Sequence, residues 1–163
     1  MRVKTESPMT EALTRACREY ELFRDLDERQ FVRVMMAAEL IELKPQELLF
    51  ADGDPAQYFY LVHRGDVVIQ IEPKPGHVID VFTAKPSTIL GWSALVPPHI
   101  YTGAAKALEP AELIRVKGER LRQLCESDSV LGFKLMRLIA KTVSERLHET
   151  RQELGNLIYW VRH

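Results

Sequence analysis

The residues best suited to bind a ligand lie between positions 90 and 108, which read LGWSALVPPHIYTGAAKAL. Gly91 and the small residues after it are typical of a loop that opens a short helix, where backbone amides can face an anion. The middle of the stretch supplies only the indole of Trp92 and the phenol of Tyr101, where an anion would need a guanidinium. The stretch therefore has the layout of an anion-binding loop without the matching charge.

The cysteines and histidines offer little chemistry by their spacing. Cys17 and Cys125 stand far apart with no CxxC pair, which is typical of free thiols in a reducing cytoplasm. No HxH or HExxH pair occurs, so we expect no metal site, and we expect that the protein is not an enzyme. The five histidines are at positions 63, 77, 99, 148 and 163.

Composition narrows the class of protein. A chain of 163 residues predicts one domain with a substantial core. The formal charge is −1, from 22 basic and 23 acidic residues, so no basic footprint for nucleic acid or a membrane surface is expected. No apolar run approaches the about 20 residues that a membrane span requires, and the charged N-terminus lacks the apolar core of a signal peptide.

The elements that must position the loop begin with two helices. Apolar residues at helical spacing predict a helix over 9–22 and a second over 27–39, with Asp27 as its N-cap. Two short strands then follow within 40–50, around the turn at Lys44 and Pro45.

The central part of the chain has the pattern of antiparallel strands. Strands are predicted over 58–62, 67–72, 77–83 and 111–118, and a short helix over 119–127. Glycine and proline punctuate the first three of them, as expected where a turn needs a positive φ or a preset one. Many short strands with such turns indicate an antiparallel jelly roll or barrel, a mainly β fold flanked by helices.

The final part of the chain, 128–161, is predicted to be one long helix. Its apolar residues follow a continuous 4–3 alternation over about 26 residues, or about 39 Å. A small barrel covers about half that length, so we expect a homodimer through a two-helix seam, although a helix packed on its own barrel is the alternative. The seam residues are Met136, Ala140, Val143, Leu147, Thr150, Leu154, Leu157 and Val161.

Taken together, these segments resemble the cyclic nucleotide-binding domain of the cyclic AMP receptor and fumarate–nitrate regulator group of bacterial sensors. The resemblance covers roughly residues 20–160 and rests on LFRDLDERQF, on FADGDPAQYFYLVHRGDVVI and on the terminal ERLHETRQELGNL. It implies a β-roll of residues 27–127 that follows a helical lead-in of residues 1–26. The resemblance also implies that residues 128–163 form the dimerisation helix.

The resemblance also implies a phosphate-binding cassette, which in this family begins Gly-Glu and ends near Pro-Arg-Ser/Thr-Ala. Carried over by position, Gly91 matches the Gly, but Trp92 stands at the Glu and Tyr101 at the Arg. Thr150 matches the hydroxyl that the dimer helix presents to the base of the partner's ligand. The implied ligand-binding residues are therefore Gly91, Trp92, Ser93, Ala94, Leu95, Tyr101, Thr102 and Thr150.

The exchanged cassette residues predict weak or absent binding of cyclic AMP or cyclic GMP. A buried phosphate without its cation loses about 2–5 kcal/mol, or about 30-fold to several thousandfold in affinity. The aromatic residues could instead hold a flat ligand, or fill the cavity as core. Haem ligation in this family would fall to His77, which is more typical of a solvated turn, and two isolated cysteines cannot hold an iron–sulfur cluster.

Two functions remain open from the sequence. The first is a non-catalytic sensor that binds a small-molecule effector, needs no cofactor and signals through its dimer helix. The second is a ligand-free scaffold for dimerisation or for a protein partner. A cupin-type metalloenzyme is disfavoured because its histidine and glutamate ligands are missing. The chain stops at His163, where related regulators begin a helix-turn-helix domain, so it is either a standalone sensor or a fragment of a longer chain. With a net charge near zero and no recognition helix, we expect no direct DNA binding.

Overall fold

The computed structural model describes the backbone of residues 2–3 and 11–162, and the side chains of residues 13–161. Two antiparallel sheets form a roll, with strand orders β1-β2-β9-β4-β7 and β3-β8-β5-β6. The strands are β1 (Arg2–Val3), β2 (Ala38–Leu43), β3 (Leu48–Phe50), β4 (Tyr58–Arg64), β5 (Val67–Lys74), β6 (His77–Ala84), β7 (Ile89–Leu90), β8 (Ala104–Ala107) and β9 (Ala111–Lys117). The helices are α1 (Glu11–Cys17), α2 (Glu21–Arg24), α3 (Glu28–Met36), α4 (Gly118–Ser127) and α5 (Ser129–Arg162), with a 3₁₀ helix at Trp92–Ala94.

The predicted antiparallel β-roll with flanking helices is confirmed. The turn between β4 and β5 shows why the glycines punctuate the strands. Gly65 has a φ of 73°, and a side chain there would place its Cβ 2.5 Å from the carbonyl oxygen of Pro110. Only glycine fits such a position, so the turn fixes where the second sheet begins.

The predicted N-cap of α3 is confirmed, although the predicted end of the helix is wrong. The Asp27 carboxylate accepts from the Gln30 backbone N–H at 2.8 Å, and the Gln30 side chain accepts from the Asp27 N–H, which completes a capping box. The helix ends at Met36 instead of residue 39, because Ala38 and Glu39 join β2 and pair with β9.

The predicted helix over 9–22 is interrupted in the structure, and its residues 9 and 10 lie outside the described part. α1 ends at Cys17, and Tyr20 has the extended backbone (φ −74°, ψ 140°) that precedes α2. The Tyr20 hydroxyl lies 2.6 Å from Nδ1 of His63 in β4, and the Arg18 guanidinium lies 3.7 Å over the Phe31 ring. These tertiary contacts override the helical pattern.

Two hydrophobic clusters hold the fold together. One lies inside the roll, around Ile41, Val62 and Leu113. The other joins the five-stranded sheet to the helices, where Leu131 and Leu135 of α5 pack with the cluster that contains Phe23, Phe31 and Phe59.

Helix α5 extends far beyond this second cluster. It is 34 residues long, or about 51 Å. Its side chains are exposed on all sides from Leu147 to Val161, so only its first half packs on the roll. Within the part of the chain that the structure describes, no helix has both the length and the apolarity to cross a membrane.

Candidate functional site

A cavity of about 490 Å³ lies between the roll and α5. The second sheet and its neighbours provide apolar and aromatic side chains, the loop after β7 provides small residues, and α5 provides polar ones. The lining residues are Phe50, Ile69, Val81, Phe82, Thr83, Leu90, Gly91, Trp92, Ser93, Tyr101, Thr102, Gly103, Arg146, Glu149, Thr150 and Glu153.

Gly91 shapes the cassette side of this cavity. Its φ is 68°, and a Cβ there would lie 2.7 Å from the Tyr58 carbonyl oxygen and 3.3 Å from Cε1 of Tyr101. The residue directly precedes the 3₁₀ helix, whose closing bond runs from the Ala94 N–H to the Gly91 carbonyl oxygen. A glycine is therefore required here both by the backbone conformation and by the close approach of β4.

Tyr101 is held rigidly beside Gly91. Its side chain is 4% exposed, and its ring stacks on Phe50 with a centroid distance of 3.9 Å and an angle of 14°. The hydroxyl donates to the Tyr58 carbonyl oxygen at 2.8 Å and accepts from the Tyr58 N–H at 3.1 Å. Burial raises the pKa of Tyr101, so the phenol stays neutral.

The sequence-based expectation that Tyr101 presents a free ring to a ligand is therefore only partly met. Phe50 covers one face of the ring, and the backbone of β4 uses the hydroxyl. Trp92, by contrast, is half-buried at the cavity wall and packs at the edge of the helical cluster. Of the two aromatic residues, Trp92 is the one placed to contact a flat ligand.

Six of the eight ligand-binding residues expected from the sequence line one cavity: Gly91, Trp92, Ser93, Tyr101, Thr102 and Thr150. Ala94 and Leu95 do not. Their side chains are 0% and 8% exposed and lie in the two core clusters, because the 3₁₀ turn points them away from the cavity. Thr150 lines the cavity of its own chain, and its reach to a partner's ligand remains a prediction.

Three charged residues of the wall were missed by the sequence-based prediction: Arg146, Glu149 and Glu153. Together with Thr150 they follow the spacing i, i+3, i+4 and i+7, which places all four on one face of α5. That spacing is visible in the sequence. The apolar 4–3 repeat on the same helix, however, does not indicate that a polar face also lines a cavity.

Arg146 lies at the centre of this charged face. Its guanidinium carbon lies 3.1 Å from the ring centroid of Phe82 in β6, and its Nη1 donates to Oε2 of Glu149 at 2.6 Å. Its Nε is buried and has no hydrogen-bond partner among the described residues. Buried donors are normally satisfied, so this unpaired N–H is an exception among the buried side-chain groups of the described residues.

His77 and Cys17, the histidine and the cysteine considered for ligand or thiol chemistry, show no sign of it in the structure. His77 is exposed at the β5–β6 turn, where Nδ1 lies 3.2 Å from the Pro75 carbonyl oxygen. Burial raises the pKa of the Cys17 thiol to about 11, which keeps it protonated and unreactive. No group of three His, Cys, Asp or Glu side chains among the described residues is arranged to hold a metal ion.

Comparison with known structures agrees with this architecture. A putative cyclic nucleotide-binding protein from Geobacter metallireducens is 27% identical, over 83% of this chain and 98% of that chain, with a TM-score of 0.74. The sensor domain of the transcriptional regulator DNR from Pseudomonas aeruginosa is 18% identical, over 88% and 96%, with a TM-score of 0.72. A regulatory subunit of a cAMP-independent protein kinase A from Trypanosoma cruzi, bound to guanosine, is 12% identical, over 88% and 49%, with a TM-score of 0.73.

No curated protein matches the chain at a significant level. A family model described as the cyclic nucleotide-binding domain, however, matches residues 40–128, more than half of the chain. That match spans the roll and the loop after β7, which build every wall of the cavity except the one from α5. The chain therefore belongs to the cyclic nucleotide-binding domain family.

Proposed function

We propose that this chain is a non-catalytic sensor that binds a small, flat, uncharged molecule in the cavity of its β-roll. In this proposal residues 27–127 hold the ligand, and residues 128–163 carry the signal as the dimer helix. Cyclic AMP and cyclic GMP bind weakly or not at all. The observation that carries the proposal is the placement of Tyr101.

Tyr101 takes the place at which the family has its phosphate-binding arginine. The ring fills the space beside Gly91, its hydroxyl is bonded to Tyr58, and burial keeps it neutral. The cassette thus offers no cation to a phosphate. The charged groups of the described lining are Arg146, Glu149 and Glu153, so the wall has one positive and two negative charges and disfavours an anion.

The size and chemistry of the cavity favour a flat molecule. About 490 Å³ is within the about 300–1,000 Å³ typical of small-molecule sites. The lining combines Trp92, Phe82 and Ile69 with a few polar groups that can fix the orientation of a ligand. The Trypanosoma cruzi kinase subunit bound to guanosine is an example of this fold with a nucleoside that lacks a phosphate.

The proposed signal path is the outer face of α5. All eight seam residues are exposed in the single chain, including Leu147 at 48%, Leu154 at 55% and Leu157 at 64%. A second copy is the natural occupant, because the same 4–3 repeat on each helix lets two copies interlock. Thr150 belongs to both the proposed seam and the cavity wall. In this proposal a ligand in the cavity therefore changes the packing of the two helices at the seam.

The alternative function is a ligand-free scaffold. The observation in its favour is that Phe50 and Tyr101 already fill the phosphate side of the cavity, while the exposed apolar face of α5 remains for a partner. This alternative predicts that no small molecule stabilises the protein.

The test restores the family's two missing groups with Trp92→Glu and Tyr101→Arg. Calorimetry should show cyclic AMP binding to the double variant at least about 30-fold more tightly than to the native protein, since one buried charge pair contributes about 2–5 kcal/mol. A matched control is Trp160→Glu with Tyr159→Arg, which makes the same exchanges on the exposed end of α5. Micromolar binding of cyclic AMP by the native protein would contradict the proposal.

A further inference from the structure

The second half of helix α5 is packed on the roll at one residue. Leu135 and Ile139 are buried against the roll, and Thr142 is the last buried residue of the helix. From residue 143 to residue 161 every residue is exposed except Arg146, whose side chain is 25% exposed. Arg146 is therefore the last residue by which the roll holds the helix, and about 24 Å of helix extend beyond it.

The partner of Arg146 on the roll is the ring of Phe82 in β6. The guanidinium carbon lies 3.1 Å from the ring centroid, so the cation is held over the face of the ring, which is its negative side. Phe82 is itself fixed, because it pairs across the strands with Ile69 and packs on the cluster inside the roll. A fixed ring thus anchors the helix at one place.

The remaining groups of Arg146 are used inside the chain. Nη1 donates to Oε2 of Glu149 at 2.6 Å, which orients the guanidinium from its own helix. Nε is buried without a partner among the described residues, and an unpaired buried donor costs free energy. This cost offsets part of the attraction to the ring, so the contact has the small net stability of an element that opens and closes.

We infer that Arg146 is a clasp that closes the α5 side of the cavity in the absence of a ligand. While the clasp is closed, the helix keeps the orientation in which Thr150 lines the cavity and Leu147 faces outward. When the guanidinium leaves Phe82, the second half of α5 separates from the roll and Trp92 in the cavity wall becomes accessible to solvent. The inference goes beyond the proposed function, because it concerns the chain without a ligand.

Acrylamide quenching of Trp92 fluorescence measures whether the cavity is covered, in protein with Trp160→Phe and no ligand. Phe82→Leu keeps an apolar side chain but removes the ring face, and Arg146→Met keeps a long side chain but removes the charge. Each change should raise the quenching constant at least about twofold, because the helix then covers the indole for less of the time. Phe82→Tyr keeps the ring and should leave the constant within about 20% of the native value.

Hydrogen exchange of α5 supplies a second measurement. Leu147→Asp and Leu154→Asp are introduced first, so that a second copy cannot protect the helix through the proposed seam. In that protein, adding Arg146→Met should make the backbone amides of residues 143–155 exchange at least about threefold faster, while those of β4 and β9 keep their rates. Arg146→Met alters one partly exposed side chain, so it tests the clasp even if Phe82→Leu lowers the stability of the roll.

The chain offers a matched control on the same helix. Arg137 and Phe133 form the same type of pair, but the guanidinium carbon lies 5.9 Å from the ring centroid and both side chains are exposed. Arg137→Met with Phe133→Leu should therefore change neither the quenching of Trp92 nor the exchange of residues 143–155.

Unchanged quenching and exchange in Phe82→Leu and Arg146→Met would overturn the inference. Equal effects of Phe82→Tyr and Phe82→Leu would also overturn it, because a cation held over a ring tolerates only the first change. No ligand is present in either experiment. Failure of the clasp therefore leaves the sensor proposal standing, and failure to find a ligand leaves the clasp standing.

Discussion

Gly91 and Tyr101 together determine the chemistry of the cassette side of the cavity. Gly91 allows β4 to approach within a distance that any side chain would prevent. Tyr101 then fills the adjacent space with a neutral ring whose hydroxyl makes two hydrogen bonds to the Tyr58 backbone. The positive-φ loop geometry is present, while the position of the expected cation is taken by a structural side chain.

The structural role of the Tyr101 hydroxyl can be measured directly. Tyr101→Phe leaves the Tyr58 N–H and carbonyl oxygen without this partner in a buried place, which should lower the free energy of unfolding by about 1–3 kcal/mol in urea denaturation. Tyr58→Phe is the control, since it removes a half-buried hydroxyl that forms no hydrogen bond to a described residue. Equal stability of native protein and Tyr101→Phe would contradict the assigned role.

At this scale the sequence identified six residues that line the cavity and missed the charged residues of the opposite wall. Gly91, Trp92 and Tyr101 were identified because a contiguous loop carries its own pattern. Arg146 and Glu153 were not, because their role depends on which face of α5 turns toward β6, and a sequence pattern does not show that contact. The stacking of Phe50 on Tyr101 joins residues 51 positions apart and was equally hidden.

Helix α5 has two chemically different faces along one stretch of chain. Leu131, Leu135 and Ile139 are buried against the roll, and Arg146 continues that face into the cavity wall. Leu147 and Leu154 lie on the other face and are about half exposed. An exposed apolar stripe of this length on a free helix would be costly in water, which is why we propose a second copy against it.

The seam proposal predicts that Leu147→Asp with Leu154→Asp gives monomers in light scattering. Two carboxylates in an apolar seam would have to be desolvated without a cation, so association should be lost while the roll stays folded. His148→Asp with Gln152→Asp adds similar charge on the outer side of the helix and should leave dimers intact. Dimers of the seam variant would assign the association to another surface.

The elements themselves were predicted unevenly. Strands β4, β5, β6 and β9 and the start of α3 followed from alternation, glycine turns and the Asp27 cap. The break after α1 did not, because Tyr20 leaves the helix to reach His63, a contact 43 residues away. Strands β7 and β8 were also missed, since runs of two and four residues give too little pattern.

On the scale of the whole molecule, the cavity and the proposed dimer seam share one helix. Arg146, Glu149, Thr150 and Glu153 face the cavity, and Thr150 also belongs to the seam. A ligand that contacts this wall therefore contacts the helix that we propose joins two copies. Ligand that binds only the ordered dimer stabilises it by about 2.7 kcal/mol at a hundredfold excess over its dissociation constant.

Fluorescence of Trp92 tests the central claim most directly, in protein with Trp160→Phe to remove the second indole. Trp92 lines the cavity, so its emission reports occupancy. We predict that an uncharged flat ligand such as guanosine changes the Trp92 emission and that the change reaches a plateau as the ligand concentration rises. Cyclic AMP should have no effect below millimolar concentration. Saturation by micromolar cyclic AMP, or an emission that no flat compound changes, would contradict the account.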